Sequence, residues 1–542
     1  MSKLDVIAAA IESGYFKAKS EEKRETIFDQ LVTVQCWDTV QASEAFDILQ
    51  DEAQRRSDAY KARAARDAHK AVTEAEKPLT GSQASPTAHV EALPAGRYIL
   101  TTAQNNTDID ADMLGAVLQY CSDNNARLLV AKTTYNKNGF QQATDAAEPI
   151  YYAAEIVPYL VTGHINLGGA IDFLADSNVL PTAKNPLSGF QAATLTGVSA
   201  VIPAVKIALQ CTATLKGGEG KILYSTGAIT KRNYILRKAG QVALTEHNIG
   251  ALFVDTLQNP PVIRQLERVG DCVGFYDEGN YYTPTGSSNG FRPAALQFGD
   301  IHAEKMEDKN LADMLALICK YQPINAILHD VCDFSSRNHH NIKDCAFIFA
   351  QHVAKNTVKN DIQLVTDVID ELAQCVAGCG GLVHIIESNH DLAINTWLKN
   401  SDFKQDPVNA VTYLECMLAL YKAIEGGTTD FNMLEFAYKE IGAGDSHNVI
   451  FHKTDESVII AGVEMGCHGH TGINGSRGSP QQFRTLGIPL NTGHTHTPSI
   501  VGACYTAGVS ASLEMGYNVG PSSWRLANVL TWPNGQRQVI FM

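Results

Sequence analysis

Histidines, aspartates and one asparagine recur in short ordered blocks between residues 300 and 496. The blocks are Asp300-Ile301-His302, His329-Asp330-Val331-Cys332-Asp333, Ser388-Asn389-His390-Asp391, Cys467-His468-Gly469-His470 and Gly493-His494-Thr495-His496. Carboxylate oxygens and imidazole nitrogens without thiolates suit Mn, Fe, Zn or Mg, and a bridging carboxylate allows two ions about 3.5–4 Å apart. The pattern therefore predicts a two-metal centre that can activate water and hold a phosphate.

Each of the first four blocks follows a short apolar run of the kind that forms a buried strand. The runs are residues 294–298, 325–328, 382–386 and 458–463. Ligands in α/β folds bind beyond the carboxyl ends of the strands. We therefore expect four strand ends to converge on one place.

These blocks resemble the calcineurin-like metallophosphoesterase superfamily, whose pattern is D-x-H, (G)D-x-x-D, (G)NH-D, H and G-H-x-H. The resemblance implies two divalent ions, with Mn²⁺ foremost and Mg²⁺, Zn²⁺ or Fe²⁺ as alternatives. By position, the first ion would bind Asp300, His302, Asp330 and His496, and the second would bind Asp330, Asn389, His468 and His494. His470, two residues after His468, is a competing candidate for the same ligand position.

The resemblance also implies residues that act beside the metals. His390 falls where the family keeps a non-ligand histidine that contacts the phosphate and protonates the leaving oxygen. Asp391 would orient that imidazole, and Asp333 would accept a hydrogen bond behind the ligands. His329 and Ser388 depart from the family, which usually has glycine there. Because those glycines are backbone positions, we expect the departures to affect loop geometry more than metal binding.

The composition of the chain limits the kinds of protein that it can be. The chain has 542 residues, 45% of them hydrophobic, which suggests about three domains with packed cores. Its net charge of -15 argues against nonspecific coating of nucleic acid, although a nuclease with basic residues around its metals remains possible. The 12 cysteines are scattered, and neither a signal peptide nor a membrane span is evident. We expect a soluble cytoplasmic protein with no membrane partner.

The expected fold class is α/β, and four regions are predicted. Residues 1–76 read as a helical region, residues 77–96 as a linker, residues 97–290 as an α/β accessory domain, and residues 291–542 as a metallophosphoesterase β-sandwich flanked by helices. A helical insertion is expected at about 392–445, near the metal cleft. On the amino-terminal helix, a basic stripe could meet DNA phosphate or an acidic partner, or simply face solvent: Arg55, Arg56, Arg63, Arg66 and Lys70.

The substrate must be inferred from features other than the metal ligands. The Asp-Ile-His-Ala-Glu, His-Asp-Val-Cys-Asp-Phe and Glu-Ser-Asn-His-Asp blocks are similar to those of the pre-early DNA-degradation proteins of T-five-like tailed phages. That likeness implies a Mn²⁺- or Mg²⁺-dependent deoxyribonuclease that destroys host DNA early in infection, acts in the host cytoplasm and forms a homo-oligomer. Arg477, in the glycine-rich loop 471–479, could hold a DNA phosphate, although a plain surface loop fits equally well.

Two other functions remain open. One is a metallophosphatase or phosphodiesterase that acts on a phosphoprotein or a small phosphoester. The same two-metal chemistry hydrolyses these substrates and DNA. The other is a binding or scaffold protein with a vestigial metal site. A complete ligand set argues against a vestigial site.

Overall fold

The structure is a computed structural model that describes residues 6, 9–10, 21–34, 40–50, 90–135, 150–194, 197–215, 218, 220–235, 237–338, 344–428, 430–516 and 518–542. The chain divides into two compact units, Met1–Thr87 and Ala88–Met542. The centre predicted from the sequence lies entirely in the second unit.

The first unit is helical where it is described. Helix α1 spans Glu21–Val34, and residues 40–50 are also helical. A small apolar core forms from Val6, Ala10, Leu31, Ala45 and Leu49. The predicted basic stripe and residues 77–89 of the predicted linker lie outside the described residues.

The amino-terminal half of the second unit is rich in strands. Among the described residues these are β1 (Val90–Leu93), β2 (Arg97–Gln104), β3 (Ala126–Thr133), β4 (Leu160–Val161), β5 (His164–Leu167), β6 (Ile171–Leu174), β7 (Ser199–Ile202), β8 (Ile207–Cys211), β9 (Ile222–Thr226), β10 (Gly250–Asp255), β11 (Val262–Glu267), β12 (Phe275–Asp277), β13 (Asn280–Thr283) and β14 (Gly286–Asn289). Residues 90–93, which have linker composition in the sequence, instead pair in parallel with β5.

The strands that follow residue 290 deliver the candidate ligands. They are β15 (Ala295–Gln297), β16 (Asn325–His329), β17 (Leu382–Ile386), β18 (Val449–His452), β19 (Ile459–Ile460), β20 (Val463–Glu464), β21 (Leu490–Thr492), β22 (Ser499–Val501), β23 (Cys504–Thr506), β24 (Ala527–Thr531) and β25 (Arg537–Phe541). The first three apolar runs each correspond to one strand, whereas the fourth, residues 458–463, contains β19 and the start of β20, which pair antiparallel.

The helices of the second unit connect and cover these strands. In the described residues they are α2 (Ala111–Asn124), α3 (Lys238–Glu246), α4 (Asp308–Tyr321), α5 (Cys345–Val353), α6 (Val358–Gly378), α7 (Ala393–Asn400), α8 (Ala410–Glu425), α9 (Met433–Phe436) and α10 (Pro480–Phe483). Helices α7 to α9 fall in the segment where the sequence predicts a helical insertion. Every helix in the described part of the chain is too short or too polar to cross a membrane.

Two sheets bring the candidate site together. The six-stranded sheet has the order β18-β17-β16-β15-β24-β25, and β15 to β18 run parallel. The 11-stranded sheet has the order β1-β5-β6-β7-β9-β8-β22-β23-β21-β20-β19. This sheet takes strands from both sides of residue 290, the predicted domain boundary. A five-stranded sheet, β11-β10-β2-β3-β4, and a three-stranded sheet, β12-β13-β14, complete the unit.

The six-stranded sheet packs on both faces, as alternation along its strands requires. Leu328 of β16 packs with Met314 of α4 and Ile369 of α6 in a helix-covered core. Its neighbour Ile327 faces the other way and packs with Val463 of the 11-stranded sheet. Burying each such side chain contributes roughly 1.5–3 kcal/mol. The chain is therefore an α/β protein, as the sequence predicts, and its layers fix the strand ends that carry the candidate ligands.

Candidate metal centre

The candidate ligands come from the ends of strands in both sheets. Asp300, Asp330 and Asn389 follow the parallel neighbours β15, β16 and β17. His468 follows β20, and His494 lies just beyond β21 in the 11-stranded sheet. The expected convergence of strand ends therefore occurs where the two sheets meet, and it does not arise from one sheet alone.

Asp300, His302, Asp330 and His496 form one buried group whose ligand atoms all lie within 4.8 Å of one another. His496 Nε2 lies 2.9 Å from Asp300 Oδ2 and 3.0 Å from His302 Nε2. His302 Nε2 lies 3.7 Å from Asp330 Oδ2. This is the set that the resemblance assigns to the first metal.

The residues assigned to the second metal also lie around Asp330. His468 Nε2 is 3.3 Å from Asp330 Oδ2, and the His468 ring centroid is 5.3 Å from that of His494. Asn389 directly precedes His390, whose backbone N–H donates to Asp330 Oδ1 at 3.4 Å. His470 is half-buried and belongs to none of the potential ligand groups in the described residues. The contact with Asp330 favours His468 over His470 as the ligand.

Several buried atoms of this centre lack a hydrogen bond of ordinary geometry to any described residue, although Asp300 Oδ2 faces His496 and Asp330 Oδ2 faces His468. They are Asp300 Oδ2, Asp330 Oδ2, Asn389 Oδ1, His468 Nε2 and His496 Nδ1. Leaving a buried polar atom unsatisfied costs about 1–3 kcal/mol. Oxygen and nitrogen atoms that converge in this way are the donors that divalent transition metals prefer. The residues therefore fit a divalent cation.

The backbone at the centre also adopts an uncommon conformation. Four of the candidate ligands have positive φ angles, namely His302 (42°), Asp330 (50°), His494 (70°) and His496 (54°). Non-glycine residues rarely adopt such angles, and each costs on the order of 1–3 kcal/mol. This strain turns successive side chains of the loops toward one point.

Electrostatics keep the carboxylates ionised. Burial alone would raise the pKa of Asp300 and Asp330, but His496 beside Asp300 and His468 beside Asp330 hold both pKa values well below the ordinary range. Burial lowers the pKa of His494 to about 4. The centre thus offers two carboxylates and a neutral imidazole to a cation.

His390 contacts a different carboxylate from the one predicted. Its Nδ1 lies 3.3 Å from Asp333 Oδ1, and His302 Nδ1 lies 3.4 Å from the same oxygen. Asp333 therefore lies behind both rings, in the supporting place that the sequence predicts. Burial opposes a charge on His390, yet Asp330 and Asp333 outweigh it and raise the pKa of His390 to about 9.

The Asp391 carboxylate has partners other than the His390 ring, and its predicted orienting role stays a prediction. Its carboxylate accepts from Ser388 Oγ at 2.8 Å, from the Ser388 backbone N–H at 3.1 Å and from the Cys332 N–H at 3.1 Å. The turn after β17 directs the Asp391 side chain back toward these donors. Asp391 thus joins the Asn389 loop to the Asp330 loop, and burial, followed by nearby Asp330, raises its pKa to about 7.

Two residues that sequence reasoning left without a site role support the ligands. Glu304 accepts from the backbone N–H groups of Asp333 and Phe334 at 2.7 and 2.8 Å, which holds the loop after β16. His329, which stands at a family glycine position, lies with its Nδ1 2.9 Å from Asp300 Oδ1. The only signal for His329 in the sequence was its departure from glycine, and the structure gives its side chain a contact.

Arg477 is not part of the ligand cluster. It is exposed on the loop after His470 and is paired across the loop with Thr471. The Gly478 N–H donates to the His470 carbonyl at 3.0 Å and holds the base of this loop next to the centre. The predicted contact of Arg477 with a DNA phosphate stays a prediction.

Comparison with known proteins sets this fold and site in context. The described residues define an α/β protein with a buried aspartate–histidine centre suited to a divalent cation. No family model matches the chain, so its likeness to metallophosphoesterases depends on the five sequence blocks and their geometry. Over 487 residues the chain is 42% identical to Protein A1 of Escherichia phage T5, a match that covers 87% of this chain and 86% of that protein. The chain therefore belongs to the family of phage T5 Protein A1, which confirms the expected relationship to T5-like phages.

Proposed function

We propose that the chain is a two-metal phosphodiesterase that degrades DNA early in phage infection. The observation that carries this proposal is the convergence of Asp300, His302, Asp330 and His496 within 4.8 Å. Asp330 Oδ2 lies near both His302 Nε2, at 3.7 Å, and His468 Nε2, at 3.3 Å, so this carboxylate would be shared by the two ligand sets.

The candidate ligands would hold two metal ions that activate water and bind a phosphate. Mn²⁺ or Mg²⁺ ions held in this centre would act as Lewis acids toward a phosphate and lower the pKa of water. Asp300, His302, Asp330 and His496 would hold one ion, while Asp330, Asn389, His468 and His494 would hold the other. The carboxylates of Asp300 and Asp330 are buried, and burial strengthens their attraction to a cation.

His390 is the proton donor in this proposal. Asp333 lies against Nδ1 at 3.3 Å and orients the ring. In this proposal Nε2 carries the proton that passes to the leaving oxygen. The carboxylate of Asp333 against Nδ1 favours the protonated imidazole that an acid catalyst requires. The strand end that presents Asn389 to the metals also places His390 beside them.

Two observations support DNA as the substrate. The chain belongs to a phage protein family, and its sequence blocks resemble those of pre-early DNA-degradation proteins. The loop that carries Arg477 begins at His470, next to the centre, and can supply a cation to a phosphate there. Because the whole chain carries a net charge of -15, contact with a polyanion must depend on such local groups.

The test is an incubation of the purified full chain with supercoiled and linear duplex DNA in Mn²⁺, in Mg²⁺ and in chelator. Asp330→Asn is the site variant, and Asp445→Asn is the control because Asp445 is exposed. We expect metal-dependent DNA loss with the wild type and the control, and its absence with Asp330→Asn. The circular substrate separates internal cleavage from attack at ends.

Other results would refute the proposal. Cleavage at the wild-type rate by Asp330→Asn would exclude the two-metal mechanism. Intact DNA together with hydrolysis of an aryl phosphate would show a phosphatase instead. Failure of the wild type to bind Mn²⁺ in elemental analysis would indicate a binding or scaffold protein.

A further inference from the structure

His329 occupies a position where the resembling family has glycine, yet its ring is wholly buried among the candidate ligands. Its Nδ1 lies 2.9 Å from Asp300 Oδ1 and 3.1 Å from His468 Nδ1. Asp300 is assigned to the first ion and His468 to the second. A single imidazole therefore contacts one ligand of each ion.

The tautomer of His329 follows from its neighbour Gln297. The Gln297 Nε2 lies 3.0 Å from the carbonyl oxygen of Thr492, which can only accept, so this atom must be the amide nitrogen. The same nitrogen lies 3.2 Å from His329 Nε2 and donates to it. The neutral ring then carries its proton on Nδ1, which donates to Asp300 Oδ1.

This hydrogen bond fixes the direction of the Asp300 carboxylate. Oδ1 accepts from His329 Nδ1 and from the backbone N–H of His494, at 3.1 Å. Because Oδ1 is occupied twice, Oδ2 is left to face His496 Nε2 at 2.9 Å. Gln297 also ties the loop that carries His494 and His496 through the Thr492 carbonyl.

We propose that His329, held by Gln297, is a positioning residue that presents Asp300 Oδ2 to the metal and links the two ligand sets. This inference rests on the proposed function, because it assumes that a divalent cation binds the centre. Outer hydrogen bonds of this kind fix the orientation of metal ligands, and their loss typically costs 10–100-fold in metal affinity. Glycine at this position cannot supply such a bond.

The test measures Mn²⁺ affinity by isothermal titration calorimetry on the full chain, without substrate. His329→Gly removes the donor, whereas His329→Asn keeps an N–H near the position of Nδ1. Gln297→Leu removes the partner that sets the tautomer. We expect about 10–100-fold weaker Mn²⁺ binding for His329→Gly and Gln297→Leu, and binding within about threefold of wild type for His329→Asn.

The outcomes distinguish this inference from the proposed function. Wild-type affinity in His329→Gly, with the wild type binding Mn²⁺ normally, would overturn the positioning role alone. Equal loss in the glycine and asparagine variants would show that His329 binds the cation directly, which also overturns positioning. Absence of Mn²⁺ binding by the wild type would overturn both. Circular dichroism of each variant establishes that a loss of affinity does not come from unfolding.

Discussion

Gly493 offers a sharp test of the packing around the centre, because a single methyl group there meets two functional side chains. A Cβ at this position would lie 1.9 Å from His329 Cε1, 2.5 Å from His329 Nδ1 and 2.3 Å from Asp300 Oδ1. The backbone φ of Gly493 is not in the positive range that favours glycine. Glycine is therefore required at position 493 because there is no room for a side chain, and not because of its backbone conformation.

The size of the effect follows from these distances. The His329 ring must retreat from 1.9 Å to ordinary contact at 3.4 Å or beyond, which is further than its hydrogen bond to Asp300 can stretch. Overpacking a dense interior costs about 1–3 kcal/mol, and losing a hydrogen bond to a charged group costs about 1.5–3 kcal/mol. We expect Gly493→Ala to lower the free energy of unfolding by about 2.5–6 kcal/mol and to weaken Mn²⁺ binding.

The assay pairs denaturant unfolding, monitored by circular dichroism, with Mn²⁺ titration calorimetry. Gly378→Ala is the matched control, because a Cβ on this glycine meets nothing within 4 Å and the residue ends helix α6. Alanine favours a helix over glycine by up to about 1 kcal/mol, so the control should be neutral or slightly stabilising. Its Mn²⁺ affinity should equal that of the wild type.

A double-mutant cycle identifies the cause of the damage. In a His329→Gly background the ring is gone, so Gly493→Ala should cost less than in the wild type by at least about 1 kcal/mol. Equal costs in the two backgrounds would show that the methyl group does not act through His329. Unchanged stability and Mn²⁺ affinity in Gly493→Ala itself would refute the packing argument.

Three other predictions concern separate parts of the molecule. His390→Ala should keep Mn²⁺ affinity within about twofold while lowering the cleavage rate about 10²–10⁴-fold, and loss of Mn²⁺ instead would make His390 a ligand. Burial would raise the pKa of Glu246, but its bonds to Lys206 and Arg484 lower it, so its stabilisation is present above the ordinary value near 4.5 and is lost as pH falls. Glu246→Gln should therefore destabilise the chain at pH 7 and hardly at pH 3, as pH-dependent unfolding will show. Helix α8 exposes apolar side chains at heptad spacing, Val411, Leu414, Leu418 and Tyr421. If the expected homo-oligomer uses this face, Leu418→Glu should reduce the mass measured by light scattering, and an unchanged mass would exclude the face.

The convergence of the candidate ligands could be predicted from the sequence because their types, order and strand context are local properties. Asp300, Asp330 and Asn389 each follow an apolar run that forms a parallel strand, and neighbouring parallel strands end at the same edge. The carboxylate that contacts the His390 ring could not be predicted from such local properties. Asp391 is adjacent to His390 in sequence, but the direction of its side chain depends on a turn, and the structure places Asp333 against the ring instead.

The strand pairing in the 11-stranded sheet also could not be predicted from local sequence. Strand β8 pairs with β22 across residue 290, and nothing in either short strand specifies so distant a partner. The sequence predicts a domain boundary at residue 290, where the α/β accessory region gives way to the region of the candidate ligands. Long-range pairing instead joins both regions through one sheet, and this pairing brings β21, with the loop of His494 and His496, to the end of the six-stranded sheet.

The strained loops explain why many hydrogen bonds from neighbouring side chains hold the candidate ligands. Four ligands with positive φ and several unpaired buried atoms together cost a sizeable part of the 5–15 kcal/mol that typically stabilises a domain. Such a centre persists only if neighbouring contacts fix each loop. Glu304 holds the Asp333 backbone, Asp391 holds Cys332, and His329 holds Asp300. Each contact maintains an arrangement of the candidate ligands that the backbone alone would not choose, so the surrounding side chains fix the geometry of the candidate centre.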